Sequence, residues 1–121
     1  NIQGYTKLRI IANRYNTSIT MKDYFRELVA NPEKLPDADL FVHTCVPSLK
    51  EMTSAYRKMS EQPVKGSETY QTLQELAEKI ELTCEKLEED YLHFQEDRIQ
   101  NSEAEMDYVS RKILEKGKGA K

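Results

Sequence analysis

Between residues 70 and 94 the apolar side chains fall at Tyr70, Leu73, Ala77, Ile80, Cys84, Leu87, Tyr91 and Phe94, in alternating steps of three and four without a miss. A half-buried strand would space them by two. This spacing lays one stripe along a helix that twists against a neighbouring helix. Glu, Lys, Gln and Thr fill most positions between, as a wet outer face requires. A matching stripe precedes it at Ala38, Val42, Cys45, Leu49, Met52, Tyr56 and Met59. Gln62-Pro63-Val64-Lys65-Gly66-Ser67 separates the two and reads as a hairpin, with Ser67 as N-cap of the second helix.

Folding at Gly66 and pairing residues whose numbers sum to 129 puts every core position on a core position. Met59 meets Tyr70, Tyr56 meets Leu73, Met52 meets Ala77, Leu49 meets Ile80, Cys45 meets Cys84, Val42 meets Leu87 and Ala38 meets Tyr91. The fold expected is all-α: an antiparallel bundle of two long helices, about 36–62 and 67–100, with axes about 8–10 Å apart. At 121 residues, with 38% hydrophobic and 32% charged content, the chain suits a narrow core, read as a single domain over 1–121.

The remaining segments pack around this pair. Tyr5, Leu8, Ile11, Ala12 and Tyr15 have helical spacing, Asn16-Thr17-Ser18 interrupts it, and Met21, Tyr24, Phe25, Leu28 and Val29 resume it. That predicts a broken N-terminal helical arm whose second part is capped by Thr20 with Asp23. Pro32 and Pro36 fit a first turn but not a helix interior. Pro47 lies inside the first long helix, where it cannot bond the carbonyl of His43, and predicts a bend around the core. Ser102-Glu103-Ala104-Glu105 reads as a capping box. It predicts a short C-terminal helix carrying Met106, Tyr108, Val109, Ile113 and Leu114, ended by Gly117 and folded back over the end of its predecessor.

The formal charge of −3 offers no global field for nucleic acid. Lys112, Lys116, Lys118 and Lys121 form the one basic cluster, read as a solubilising tail. Cys45 and Cys84 share a layer, but facing helices hold backbones wider than the roughly 4.4–6.8 Å a disulfide spans. No further ligands lie near enough for zinc, so both read as buried thiols of a reducing compartment. His43 has Asp39 one turn before it and His93 has Asp90 three before it, short of the Glu-x-x-His pairs of a di-iron bundle. Glu85, Glu88, Glu89, Asp90, Glu96 and Asp97 read as a solvated face. The Lys65-Gly66-Ser67 turn is explained by capping, and no phosphate loop or nucleophile elbow occurs. No catalytic residue, metal or cofactor is therefore assigned. Tyr5, Arg9, Arg14, Tyr15 and Tyr24, near Phe25 and Arg26, are the one aromatic–basic cluster, and form the candidate interaction surface.

Asn31-Pro32-Glu33-Lys34-Leu35-Pro36, then Phe41, Val46-Pro47-Ser48-Leu49-Lys50 and Tyr56, resemble a pattern of the 5-bromo-4-chloroindolyl phosphate hydrolysis protein family (XpaC-like proteins). Glu105-Met106-Asp107-Tyr108-Val109 with Ile113 is similar to that family's acidic-then-aliphatic last helix. The likeness runs from about Leu8 to Leu114 and consists of helix punctuation more than of a site. His43-Thr44-Cys45-Val46 departs from it, standing where the family has two tyrosines and a Leu. The resemblance implies a bacterial protein with hydrophobic segments ahead of the helical region, and its name implies phosphate-ester hydrolysis, although the matched positions supply no nucleophile, metal set or phosphate cradle.

The expectation is a non-catalytic helical interaction or scaffold domain, cytoplasmic, and tethered to the inner face of the membrane by a segment upstream of Asn1, since the chain starts without Met. Its expected partner is another protein, and homo-oligomerisation is open to it. The alternatives are a phosphate-ester hydrolase or an accessory to one, and an oligomerising coiled-coil element.

Overall fold

The N-terminal arm breaks at one residue. Asn16 takes the left-handed conformation, φ 52° and ψ 36°, which asparagine tolerates better than other side-chain-bearing residues. Helix α1 (Ile2–Arg14) ends before it and α2 (Thr17–Ala30) begins after it. The Asn16 amide reaches back only to Asn13, at 3.3 Å, and the ladder resumes where Thr20 donates to the Asn16 carbonyl at 2.9 Å. Thr20 is thus buried inside α2 and does not cap it, because one left-handed residue suffices where a three-residue turn was expected. This computed structural model describes the backbone of residues 2–119 and the side chains of residues 6–115. All regular structure among the described residues is helical.

Asn31 closes α2 by donating its amide to Glu27 O at 2.9 Å, and its side chain bonds Glu27 Oε1 at 3.1 Å. The prolines then act as their missing donors dictate. Pro32–Ala38 is a 3-10 segment, and Phe41–Cys45 is a π-turn closed by the Val46 amide on Phe41 O. The π-turn lies immediately ahead of Pro47, whose ring would crowd the His43 carbonyl of a regular helix. Pro47 therefore stands in the first turn of α3 (Val46–Ser60), where no amide is needed, and not at a bend inside a continuous helix. The wide turn also brings Phe41 to full burial, a position the regular spacing passed over in favour of the half-buried Val42.

Helix α4 runs unbroken from Ser67 to Gly119. No separate C-terminal helix forms, and both Ser102 and Gly117 lie inside α4. Between Gly66 and Gly117 there is no glycine or proline, and Glu, Ala, Met and Gln flank Ser102, so continuing the ladder is cheaper than starting a new nucleus. The chain divides into two compact units, Asn1–Tyr91 and Leu92–Lys121.

In the first unit the arm runs parallel to α4. Arg14 and Tyr15 reach Glu81, Tyr24 reaches Asp90 and Tyr91 reaches Asp23, so partners stay 66 to 68 residues apart along the arm. The hairpin at residues 61–66 sends α4 back along α3. Leu73, Ala77, Ile80, Cys84 and Leu87 are buried from α4, and Ala38, Phe41, Cys45, Leu49 and Tyr56 from the preceding rod. The backbones that come closest are those of α1 with α2, α1 with α3, and α2 with the 3-10 segment. Close backbone approaches to α3 come from α1 more than from α4. Tyr70 is 61% exposed although it sits on the stripe, because it lies in the first turn of α4 beside the exposed Gln62, Pro63 and Val64.

Candidate functional site

The structure scatters the aromatic–basic cluster. Tyr24 is fully buried: its ring stacks on Phe41 with centroids 4.0 Å apart and planes 8° from parallel, and its hydroxyl donates to Asp90 at 2.8 Å. Burial first, and then the Asp90 hydrogen bond, push its phenol far above the ordinary value. A partner cannot touch it, so it leaves the proposed surface. Arg14 and Tyr15 converge on Glu81, Arg14 as an ion pair and the Tyr15 hydroxyl at 3.0 Å. The Glu81 hydrogen bond, more than its charge, raises the Arg14 guanidinium, while burial leads in raising the Tyr15 phenol. Tyr5 lies outside the residues whose side chains are described. Of the four that are described, Arg9 alone opens onto a large groove.

That groove, of about 980 Å³, is walled by α1 and α2 on one side and by α3 on the other, with Ile80 and Cys84 of α4 also lining it. Leu8, Met21, Val46 and Leu49 supply further apolar surface. Arg9, Lys50, Arg57 and Lys58 supply cations, and among the described lining residues Glu61 is the only carboxylate. Thr17, Ser18, Thr53 and Ser54 add hydroxyls. Thr17 Oγ1, buried at the head of α2, makes no hydrogen bond of normal geometry, but it lies near enough to the Cys84 thiol to hold that group down against the effect of burial. A smaller groove of about 540 Å³ lies between α1 and α4, lined by Ile10, Ile11, Arg14, Ala77 and Glu81 among others. Neither groove was legible as a motif, since the larger one draws on residues from Leu8 to Cys84.

The reactive side chains are held quiet. Cys45 and Cys84 are free and buried, and burial pushes both thiols up, keeping them protonated and poorly nucleophilic at neutral pH. His43 and His93 are exposed, 3.8 Å from Asp39 and 3.7 Å from Glu96. Among the described residues no three of His, Cys, Asp and Glu gather as a metal-ligand group. Within the acidic run Asp90 turns from solvent to accept from Tyr24, whereas Glu88, which accepts from Asn16 at 3.4 Å, and Glu89, which pairs with Lys86 at 3.8 Å, stay on the solvated face. The Asp-Tyr dipeptide stands at 23–24, 90–91 and 107–108, and its first two copies were the available signal for the bond between Tyr24 and Asp90. No helix is long and apolar enough to cross a membrane among the described residues.

A family model described as 5-bromo-4-chloroindolyl phosphate hydrolysis protein matches residues 1–109. No curated protein and no solved structure matches the chain.

Proposed function

The chain belongs to the 5-bromo-4-chloroindolyl phosphate hydrolysis protein family, and we propose that its own part is to bind rather than to break bonds, as a non-catalytic helical interaction domain. The working face is the groove between the N-terminal arm and α3. The observation that carries this reading is the groove's composition: an apolar lining of Leu8, Met21, Val46, Leu49 and Ile80 with Arg9, Lys50, Arg57 and Lys58 against Glu61. An acidic amphipathic helix of another protein fits that chemistry, its apolar side chains facing the lining and its carboxylates facing the cations. The protonated, buried thiols suit a reducing compartment, which supports a cytoplasmic site of action, with any membrane tether supplied from outside the present residues.

The test is a titration of the purified chain with a synthetic helical peptide, Leu-faced and otherwise Glu-rich, followed by fluorescence anisotropy. Saturable binding is expected, weakening by about tenfold or more in an Arg57→Glu/Lys58→Glu variant and weakening with added salt. Absence of binding, or binding indifferent to both changes, overturns the reading. The family description favours a second reading, hydrolysis of a phosphate ester. Turnover of a chromogenic indolyl phosphate with added divalent metal, lost on substituting one acidic residue, would establish that reading in place of the first.

A further inference from the structure

We infer that helix α1 is a hinged cover that docks and undocks about Asn16, with Glu81 as its latch. Because α1 supplies one wall of the larger groove, its docking gates that site; the gating rests on the function proposed above, the movement does not. Each residue of α1 from Thr6 to Arg14 lines one of two grooves. Leu8, Arg9, Ala12 and Asn13 line the larger and the rest the smaller, so the helix has open space along both flanks. Among the described side chains of α1 only Ile11 is buried, whereas α2 buries Thr17, Thr20, Tyr24 and Leu28. Ile10 is 52% exposed. A segment with so little buried apolar surface opens at a lower cost than the rest of its fold.

Hinge and latch are adjacent. Asn16 holds the left-handed conformation and its amide reaches only Asn13, so the helix ladder is already interrupted where α1 turns. Arg14 and the Tyr15 hydroxyl both meet Glu81, a carboxylate that lines the smaller groove and not the larger. The α4 stripe presents Ala77 to the same smaller groove, buried beside α1. Undocking α1 therefore uncovers Ala77, while Cys45, which lines neither groove, keeps its cover. A helix of 13 residues is marginal by itself, so α1 melts as it leaves and its amides open together. An occupant that needs the wall made by Leu8, Arg9, Ala12 and Asn13 binds the docked form and, by reciprocity, holds α1 down.

The test follows alkylation by iodoacetamide in an Ala77→Cys/Cys84→Ala chain, each site read by mass, with Cys45 as the reference for global unfolding. The Ala77→Cys thiol is expected to react at least about tenfold faster than Cys45, and with a weaker dependence on urea. Glu81→Gln should speed both thiols about threefold or more, because either opening breaks the latch. Tyr24→Phe should speed Cys45 alone, because the bond from Tyr24 to Asp90 survives the undocking of α1. The Leu-faced, Glu-rich peptide, at ten times its dissociation constant, should slow the Ala77→Cys thiol about tenfold. In the unaltered chain the amides of residues 6–14 should exchange with one shared opening constant, and this arm decides where the double variant does not fold. Equal rates for the two thiols, a Tyr24→Phe change that speeds both, or exchange graded inward from the N-terminus overturns the inference. So does a peptide that binds without slowing the Ala77→Cys thiol. A peptide that does not bind overturns the proposed function and its gating, while the thiol and exchange rates still decide the movement of α1.

Discussion

Tyr24 donates its hydroxyl to Asp90 at 2.8 Å from a ring that solvent does not reach, and Tyr91, the next residue of α4, donates to Asp23 at 2.5 Å. The same Asp-Tyr dipeptide stands on both helices, and each tyrosine takes the other helix's aspartate. The rings of Tyr24 and Tyr91 also meet at 5.7 Å, so the polar exchange sits on an aromatic cluster completed by Phe41. Tyr24→Phe keeps the ring and removes the bond to a carboxylate, and should cost about 1.5–3 kcal/mol in urea unfolding. Tyr24→Ala removes the ring as well and should cost about 3–5 kcal/mol. Equal losses in the two variants would mean that the hydroxyl contributes everything and the stack nothing.

Alkaline pH should unfold this chain in two stages. Burial raises Cys45, Cys84, Tyr24 and Tyr56, whereas in the unfolded chain their ordinary values are 9.0 for the thiols and 10.0 for the phenols. As pH rises the unfolded state sheds these protons first, so their stabilisation is complete below the unfolded values and is lost above them. The melting temperature is expected to be level near neutrality, to fall once the thiol range is passed, and to fall further through the phenol range. Tyr24→Phe should flatten the second fall. A melting temperature that rises with pH over this span contradicts the burial of these groups.

Leu49 and Ile80 come from the two stripes and both are buried, at 9% and 3% exposure. Truncating either to alanine should cost about 2–5 kcal/mol, while Tyr70→Ala, at the same stripe's exposed start, should stay within about 0.5 kcal/mol. Urea midpoints of the three variants, compared at one pH, check the contrast.

That contrast marks how far the sequence could be read. Spacing located the buried residues from Leu73 to Leu87 because an amphipathic helix must turn its apolar stripe inward. Spacing assumes a constant pitch, however, and the π-turn before Pro47 changes it, which is why Phe41 and not Val42 is fully buried. Nor does a stripe say where its cover stops, so Tyr70 looked like core. Of the candidate surface, Arg9 reached the groove while Tyr24 went to the interior, since an aromatic near arginines has the same local sequence either way. The groove itself is tertiary and leaves no spacing to find.

Thr17 offers a probe of that groove. Its buried hydroxyl makes no hydrogen bond of normal geometry and has only the Cys84 thiol close by, a weak partner to set against a desolvation cost of about 1–3 kcal/mol. Thr17→Val keeps the shape and removes the hydroxyl, so a gain of roughly 1 kcal/mol is expected in the free protein. A loss of that size in urea unfolding would show that the hydroxyl is bonded in solution.

Ser102 separates a cap from an interior position. At the start of a helix, Ser→Ala removes an acceptor for an orphan amide and costs about 1 kcal/mol. Inside an unbroken helix, alanine is the better residue by a few tenths of a kcal/mol, since serine competes for the backbone and alanine does not. Because α4 passes through Ser102 without a break, Ser102→Ala should leave helix content by circular dichroism the same or slightly higher. Ser102→Pro should lower it, because the ring clashes with the carbonyl of Arg98 and removes a ladder bond, at about 3 kcal/mol or more. A proline tolerated here without loss of helicity would mean that a helix begins at this residue, as the Ser102-Glu103-Ala104-Glu105 box by itself suggests.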